Sequence, residues 1–272
     1  MYKKENPYCI PLNSVDKYFD KQVDTLILVD KIKIINDDIL KSYGSGIYVE
    51  VGEEISLENL LYGLMLKSAN DAANVLAEHV ADSTDSFVAM MNERAAELGL
   101  NDTHFVNCTG LDADGHVTSA YDIAVMSREL IRHNKIKEYS TTWMDSLRNG
   151  AFTLANTNKL IRSYQGITGL KTGSTGNAKY CLSATAERDG MELIAAIMAA
   201  PSSKERFADA ATLLNYGFAN YSLCDATEGI NLSDVPVVLG KSECVVIKLS
   251  GSAFVLTEKS KASSLTKNIE LS

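Results

Sequence analysis

Asp189-Gly190 separates two apolar runs, residues 180–188 and 191–198, and no other feature narrows the fold of this chain as much. Asp-Gly between apolar runs marks a two-residue hairpin, because both turn residues must take positive φ. A lone hairpin is marginal in water and needs a layer to cover it. The next segment, 202–218, supplies one, since its apolar residues recur with helical spacing. Lys171-Thr172-Gly173, just upstream, is expected to open a further strand. An antiparallel sheet with a helix packed on it is therefore the expected heart of the molecule.

Helices are expected before the sheet. Ser56 is a suitable N-cap for a helix over 57–66, with Leu57, Leu60, Leu61, Leu64 and Met65 on one stripe. A break at 67–70 puts Ser68 and Asn70 at a helix junction, and 71–81 reads as the next helix. Thr84 is expected to cap a third, carrying Phe87, Met90, Met91 and Leu98 and stopping at Gly99. Ser119 should cap a fourth over 120–132, with Ile123, Met126, Leu130 and Ile131 apolar. A composition shift near 220–233 reads as a linker. Beyond it, 237–239, 244–249 and 253–257 read as short strands, and the Ser/Lys-rich 259–267 as a loop or frayed end.

Three short elements then carry the chemistry, in order: Ser14-Val15-Asp16-Lys17, Ser68-Ala69-Asn70 and Lys171-Thr172-Gly173. The pattern is S-x-x-K, S-x-N, K-T-G, found in active-site serine enzymes that cleave D-alanyl peptides or β-lactams. A serine hydroxyl is a poor nucleophile near neutral pH and needs a base within hydrogen-bond reach. On a helix, a lysine three residues on shares the serine's face. A second serine can pass a proton onward, and an asparagine can orient the lysine and a substrate amide. A second lysine favours an anionic substrate terminus and depresses the proton affinity of the first.

The flanks extend the likeness. From about residue 44 to 218 the chain resembles the low-molecular-weight penicillin-binding proteins, the serine-type D-alanyl-D-alanine carboxypeptidases. Residues 46–54 (G-I-Y-V-E-V-G-E-E), 60–65 (L-L-Y-G-L-M) and 68–73 (S-A-N-D-A-A) carry it. It continues through 109–111, Gly115-His116, 180–182, 188–191 and 200–204. Pro11, Ser14 and Lys17 are in register with the family's first element, and Ser68 follows Ser14 by 68 − 14 = 54 residues. Asn13 and Asp16 depart from the family pattern, and 18–24 carries Asp20, Lys21, Gln22 and Asp24 where the family has an apolar helix. Unpaired buried charges are expensive.

The resemblance implies an α+β, transpeptidase/β-lactamase-like fold, a helical cluster packed on an antiparallel sheet. A carboxypeptidase-like domain would occupy 1–220, entered already in progress, and 221–272 would be a linker with part of a β-rich C-terminal module. It implies acyl transfer with Ser14 as nucleophile, Lys17 as general base and Ser68 as proton relay. Asn70, Lys171, Thr172, Gly173 and Ser174 would bind substrate, with Lys171 and Thr172 on its terminal carboxylate. Backbone N–H groups of Ser14 and Ser174 would form the oxyanion hole. The partners implied are the peptidoglycan stem pentapeptide and, as covalent inhibitors, β-lactam antibiotics. The location implied is the cell envelope, outside the cytoplasmic membrane.

Other classes fit less well. A net charge of −9 argues against nucleic acid as a partner. Apolar and charged fractions of 46% and 22% are those of an ordinary globular protein. Five scattered cysteines form neither a disulfide framework nor a zinc pattern, so they read as buried or reduced thiols, and no metal or cofactor is expected. His116 reads as structural, and Tyr62, Tyr121 and Tyr164 as core or rim. Met1-Tyr2-Lys3-Lys4-Glu5-Asn6 has no apolar stretch of a signal peptide, and no membrane anchor is expected in this chain. With its end at Ser272, soon after Phe254-Val255-Leu256, the chain reads as a truncated product or a fragment of a longer gene. A class A β-lactamase would need a deacylating glutamate, and the matching stretch 105–114 has none. The second alternative is a non-catalytic homologue that retains affinity for peptidoglycan or D-alanyl peptides.

Overall fold

The computed structural model describes residues 31–34, 36–37, 43–236, 238–239 and 244–268. Two compact units divide it, the larger being Leu28–Ala219 and the smaller holding the chain from Asn220 onward.

The larger unit begins with a short antiparallel pair, β1 (Ile32–Lys33) and β2 (Glu54–Ile55). Ser56 caps α1 (Leu57–Tyr62), its Oγ accepting from the Asn59 N–H at 3.1 Å. The expected helix over 57–66 does not stay α-helical: Gly63–Lys67 forms a π turn that ends at Ser68. Gly63 lets this segment lie against the Ile47 side chain, since a Cβ there would stand 3.0 Å from Ile47 Cγ2. Next come α2 (Asn70–Ala81), α3 (Thr84–Glu97), α4 (Ala120–Ile131) and α5 (Lys135–Ser140). The cap of α3 is Ser83, one residue before the expected Thr84; its Oγ accepts from the Ser86 N–H at 3.1 Å. Ser119 caps α4 as expected, but the buried residues are Asp122, Val125 and Ser127, so the covered face is rotated from the apolar stripe. Ser127 explains the rotation, because its hydroxyl meets Ser183 Oγ at 2.7 Å on the sheet.

A hairpin that periodicity did not reveal follows, β3 (Met144–Leu147) with β4 (Phe152–Ala155), and then a one-turn α6 (Leu160–Ser163). The main sheet has the order β5-β6-β7, all antiparallel: β5 (Ile167–Thr175), β6 (Lys179–Arg188) and β7 (Met191–Ala200). Asp189 and Gly190 take φ of +51° and +74°, the two positive values the Asp-Gly turn demands. Lys171-Thr172-Gly173 lies in the second half of β5 rather than opening it. Helix α7 (Ser203–Asn220) starts from Ser202, whose Oγ accepts from the Glu205 N–H at 3.2 Å. It lies close on the sheet at Gly217, where a Cβ would reach 2.4 Å from Leu193 Cδ1. One core joins Ile32, Ile34, Ile47, Leu60, Leu66, Leu76, Tyr139, Leu147 and Leu154; a smaller one joins Ala95, Leu100 and Val125.

In the smaller unit, β8 (Tyr221–Asp225) occupies the start of the expected linker and pairs with β11 (Phe254–Glu258). Between them β9 (Val235–Pro236) pairs with β10 (Cys244–Val245). Of the strand expected at 237–239, Val237 lies outside the described residues, and Val238 and Leu239 form an exposed turn. Residues 259–264 form a short 3-10 helix instead of a loop.

Candidate active site

Ser68 owes its position to the irregular end of the first helix. The π turn leaves it with φ 60° and ψ 43°, a left-handed conformation that a non-glycine residue holds only when its surroundings impose it. Gly63 O accepts from the backbone N–H groups of both Ser68 and Ala69 and imposes it here. Ser68 Oγ lies 2.8 Å from Lys171 Nζ, which donates to it across 103 residues of sequence. The same amine donates to Thr172 O at 2.8 Å, so it is held at two points. Burial lowers the Lys171 pKa from 10.5 to about 8, with the nearby Arg206 guanidinium acting in the same direction. Such an amine exchanges a proton with a neighbouring hydroxyl at neutral pH far more readily than an exposed lysine does.

Asn70 is buried at the N-terminus of α2, and its amide nitrogen donates to Tyr43 O. Asp71 beside it accepts from the N–H groups of Ile47 and Tyr48 at 3.1 and 2.6 Å, and of Val49 and Ala72 at 3.3 and 2.8 Å. A carboxylate at a helix N-terminus suits the positive end of the helix dipole. Here it also fastens the 47–49 strand-like segment to the S-x-N junction.

On β5, Thr172 is buried and meets Thr157 Oγ1 at 2.6 Å. Thr157 N–H in turn donates to Leu66 O at 3.2 Å, which ties the K-T-G strand to the π turn. Gly173 faces open space, since a Cβ there would meet nothing within 4 Å. Its carbonyl accepts from Arg206 Nη1 at 3.0 Å. Ser174 is exposed, paired across the sheet with Tyr180. Among the described residues β5 has only β6 as a neighbour, so its other edge is unpaired.

The structure thus brings together Ser68, Asn70, Lys171, Thr172, Gly173 and Ser174. Ser14 and Lys17 lie outside the described residues. His116, expected to be structural, accepts at Nδ1 from the Val106 N–H at 3.0 Å.

Four contributors escaped the sequence reading. Arg206 is buried under β5 and β6, donating to Gly173 O and Cys181 O, with its guanidinium 5.5 Å from the Tyr180 ring centroid. Asn156 and Asn158 are buried; Asn158 Nδ2 braces Gly169 O at 3.1 Å. Asp71 is the fourth. Arg206 sits at an inward position of an amphipathic helix, and an arginine there was a signal available in the sequence. The N-T-N tripeptide gave none, since buried and exposed asparagines look alike in sequence.

The comparisons with known proteins agree with this arrangement. A family model described as D-alanyl-D-alanine carboxypeptidase, peptidase S11, matches residues 21–202. The D-alanyl-D-alanine carboxypeptidase DacF of Bacillus subtilis is 40% identical over 220 residues, 79% of this chain and 57% of that protein. A D-alanyl-D-alanine carboxypeptidase of Streptomyces sp. strain K15 is 34% identical over 202 residues, 69% of each chain. Among solved structures, penicillin binding protein 6B of Escherichia coli superposes with a TM-score of 0.71 at 29% identity, over 86% of this chain and 69% of that one. The transpeptidase-like α+β fold is that of these neighbours. The chain spans 57% and 51% of the length of two relatives, the second being DacD of Salmonella typhimurium.

Proposed function

This chain belongs to the D-alanyl-D-alanine carboxypeptidase family, and on that footing we propose that it removes the terminal D-alanine from peptidoglycan stem peptides through an acyl-enzyme on Ser14. The observation that carries this reading is the 2.8 Å contact between Lys171 Nζ and Ser68 Oγ, which joins the second and third motifs into one site. Ser14 Oγ would attack the penultimate D-alanine carbonyl while Lys17 takes its proton. Ser68 would relay a proton to the departing D-alanine amine, and water would then release the acyl group. Asn70, Lys171, Thr172, Gly173 and Ser174 would hold the substrate, with Lys171 and Thr172 on its terminal carboxylate, extended along the edge of β5, where main-chain hydrogen bonds can add a strand. A β-lactam would enter the same site and stay as an adduct. A substrate in the cell wall places the proposed site of action outside the cytoplasmic membrane, which cell fractionation tests; an exclusively cytoplasmic protein would refute it.

A second reading has its own support. The family match starts at residue 21, after Ser14 and Lys17, and the 18–24 segment is polar where the family is apolar. A chain without a working nucleophile would bind D-alanyl peptides and not cleave them. Intact-mass measurement after incubation with benzylpenicillin separates the two. One adduct that vanishes in Ser14→Ala is the expected result. No adduct on the folded protein would leave only the binding reading.

A further inference from the structure

We propose that Asp112 is a positioning residue: it latches the 105–116 loop onto the turn after the K-T-G strand and thereby sets the spacing between the S-x-N helix and that strand. For its ligand this rests on the carboxypeptidase reading above; for its geometry it does not.

One carboxylate grips the turn twice. Asp112 Oδ1 accepts from Thr175 Oγ1 at 2.6 Å, and Oδ2 accepts from the Asn177 N–H at 3.1 Å. Thr175 Oγ1 also accepts from the Ala178 N–H at 3.0 Å, so its single proton is committed to Asp112. The other flank of the loop reaches α2, where Cys108 Sγ lies 3.3 Å from Asn74 Oδ1, one helical turn beyond Asn70. The loop therefore runs from just past Asn70 to just past Ser174, a further bridge beside the direct contact of Lys171 with Ser68 and the Thr157 tie to the π turn.

A bridge transmits position only if it is stiff, and this one is tied internally. The Asn107 side chain accepts from the N–H groups of Thr109 and Gly110 at 3.2 and 2.8 Å and donates to Leu111 O at 2.9 Å. Asn92 holds both backbone groups of Phe105 at 2.8 Å. His104 and Val117 close the base of the loop with two backbone hydrogen bonds of 2.9 and 3.1 Å. Asp112 itself is exposed, so core packing does not explain it.

The test uses the full chain with Asp112→Ala, Thr175→Val, Thr175→Ser and the Asp112→Ala/Thr175→Val double variant. Amide exchange of Asn177 reads the latch directly, and benzylpenicillin acylation reads its effect on the site. Asp112→Ala should speed Asn177 exchange. Either single loss should weaken initial penicillin binding about tenfold, the scale of one hydrogen bond to a charged group. The limiting acylation rate should stay within about twofold, and the double variant should be no worse than either single one. Thr175→Ser, which keeps the hydroxyl, should behave as wild type. Unchanged Asn177 exchange, additive losses, or a serine variant as impaired as the valine would each overturn the proposal. If the wild type takes no penicillin, the carboxypeptidase reading fails, and NMR titration with a D-alanyl-D-alanine-terminated peptide takes the place of acylation. Weaker peptide binding in Asp112→Ala would then sustain the latch. Equal binding, or a wild type that binds none, would overturn it.

Discussion

Lys171 ties the site to pH. Folded, it titrates near 8; its ordinary value is 10.5. Between these values the unfolded chain holds a proton that the folded chain has released, so stability rises as pH climbs from about 8 toward 10.5. Below about pH 8 the folded state bears the whole cost of a charged, enclosed amine, on the order of a few kcal/mol. Lys171→Met should remove this dependence. Urea unfolding of both proteins from pH 7 to 10.5 should give converging curves, and parallel ones would refute the assignment. Asp71 is the opposite case, a buried carboxylate satisfied by four backbone donors. Asp71→Ala strands those donors and should cost about 3 kcal/mol or more in urea denaturation. A loss under about 1 kcal/mol would mean the 47–49 segment finds other acceptors.

At the level of elements, the K-T-G strand starts from a turn that tolerates no side chain. Gly166 has φ +80°, and a Cβ on it would lie 2.4 Å from Glu187 O, a backbone atom that cannot swing away. Gly166→Ala should therefore destabilise by about 2–4 kcal/mol, read as a lower denaturation midpoint; a neutral effect would mean that the turn relaxes. This turn was invisible in sequence, whereas the Asp189-Gly190 hairpin, the Ser56 and Ser119 caps and the helix α7 were legible. The difference is physical. Caps, turn dipeptides and apolar periods are local, and each is decided by a few neighbouring residues. The β3–β4 hairpin has an Arg148-Asn149-Gly150 turn flanked by mixed residues, and its register depends on packing against the core. The S-x-N and K-T-G motifs could be read because their order is fixed. The left-handed Ser68, the Thr157–Thr172 pair and Arg206 could not, since each is defined by a partner distant in sequence.

On the scale of the whole molecule, the two units differ in how well they are closed. Every fully buried side chain among the described residues belongs to the larger unit; the described residues between 221 and 268 are all half-buried or exposed. Amides of β8 and β11 should exchange orders of magnitude faster than those of β6. Trp143, the single tryptophan, lies in the larger unit, with Arg162 5.1 Å from its ring. Its fluorescence should report a later denaturant midpoint than exchange in the smaller unit, and coincident midpoints would show one cooperative molecule. The flank of β5 that is unpaired among the described residues has a colloidal consequence. An unoccupied strand edge accepts any extended backbone, including that of another copy of the chain. A formal charge of −9 keeps copies at a distance while the carboxylates are ionised. High salt screens that repulsion and mild acidification reduces it, so light scattering should rise under both, and dispersal of this protein in solution is a matter of electrostatics.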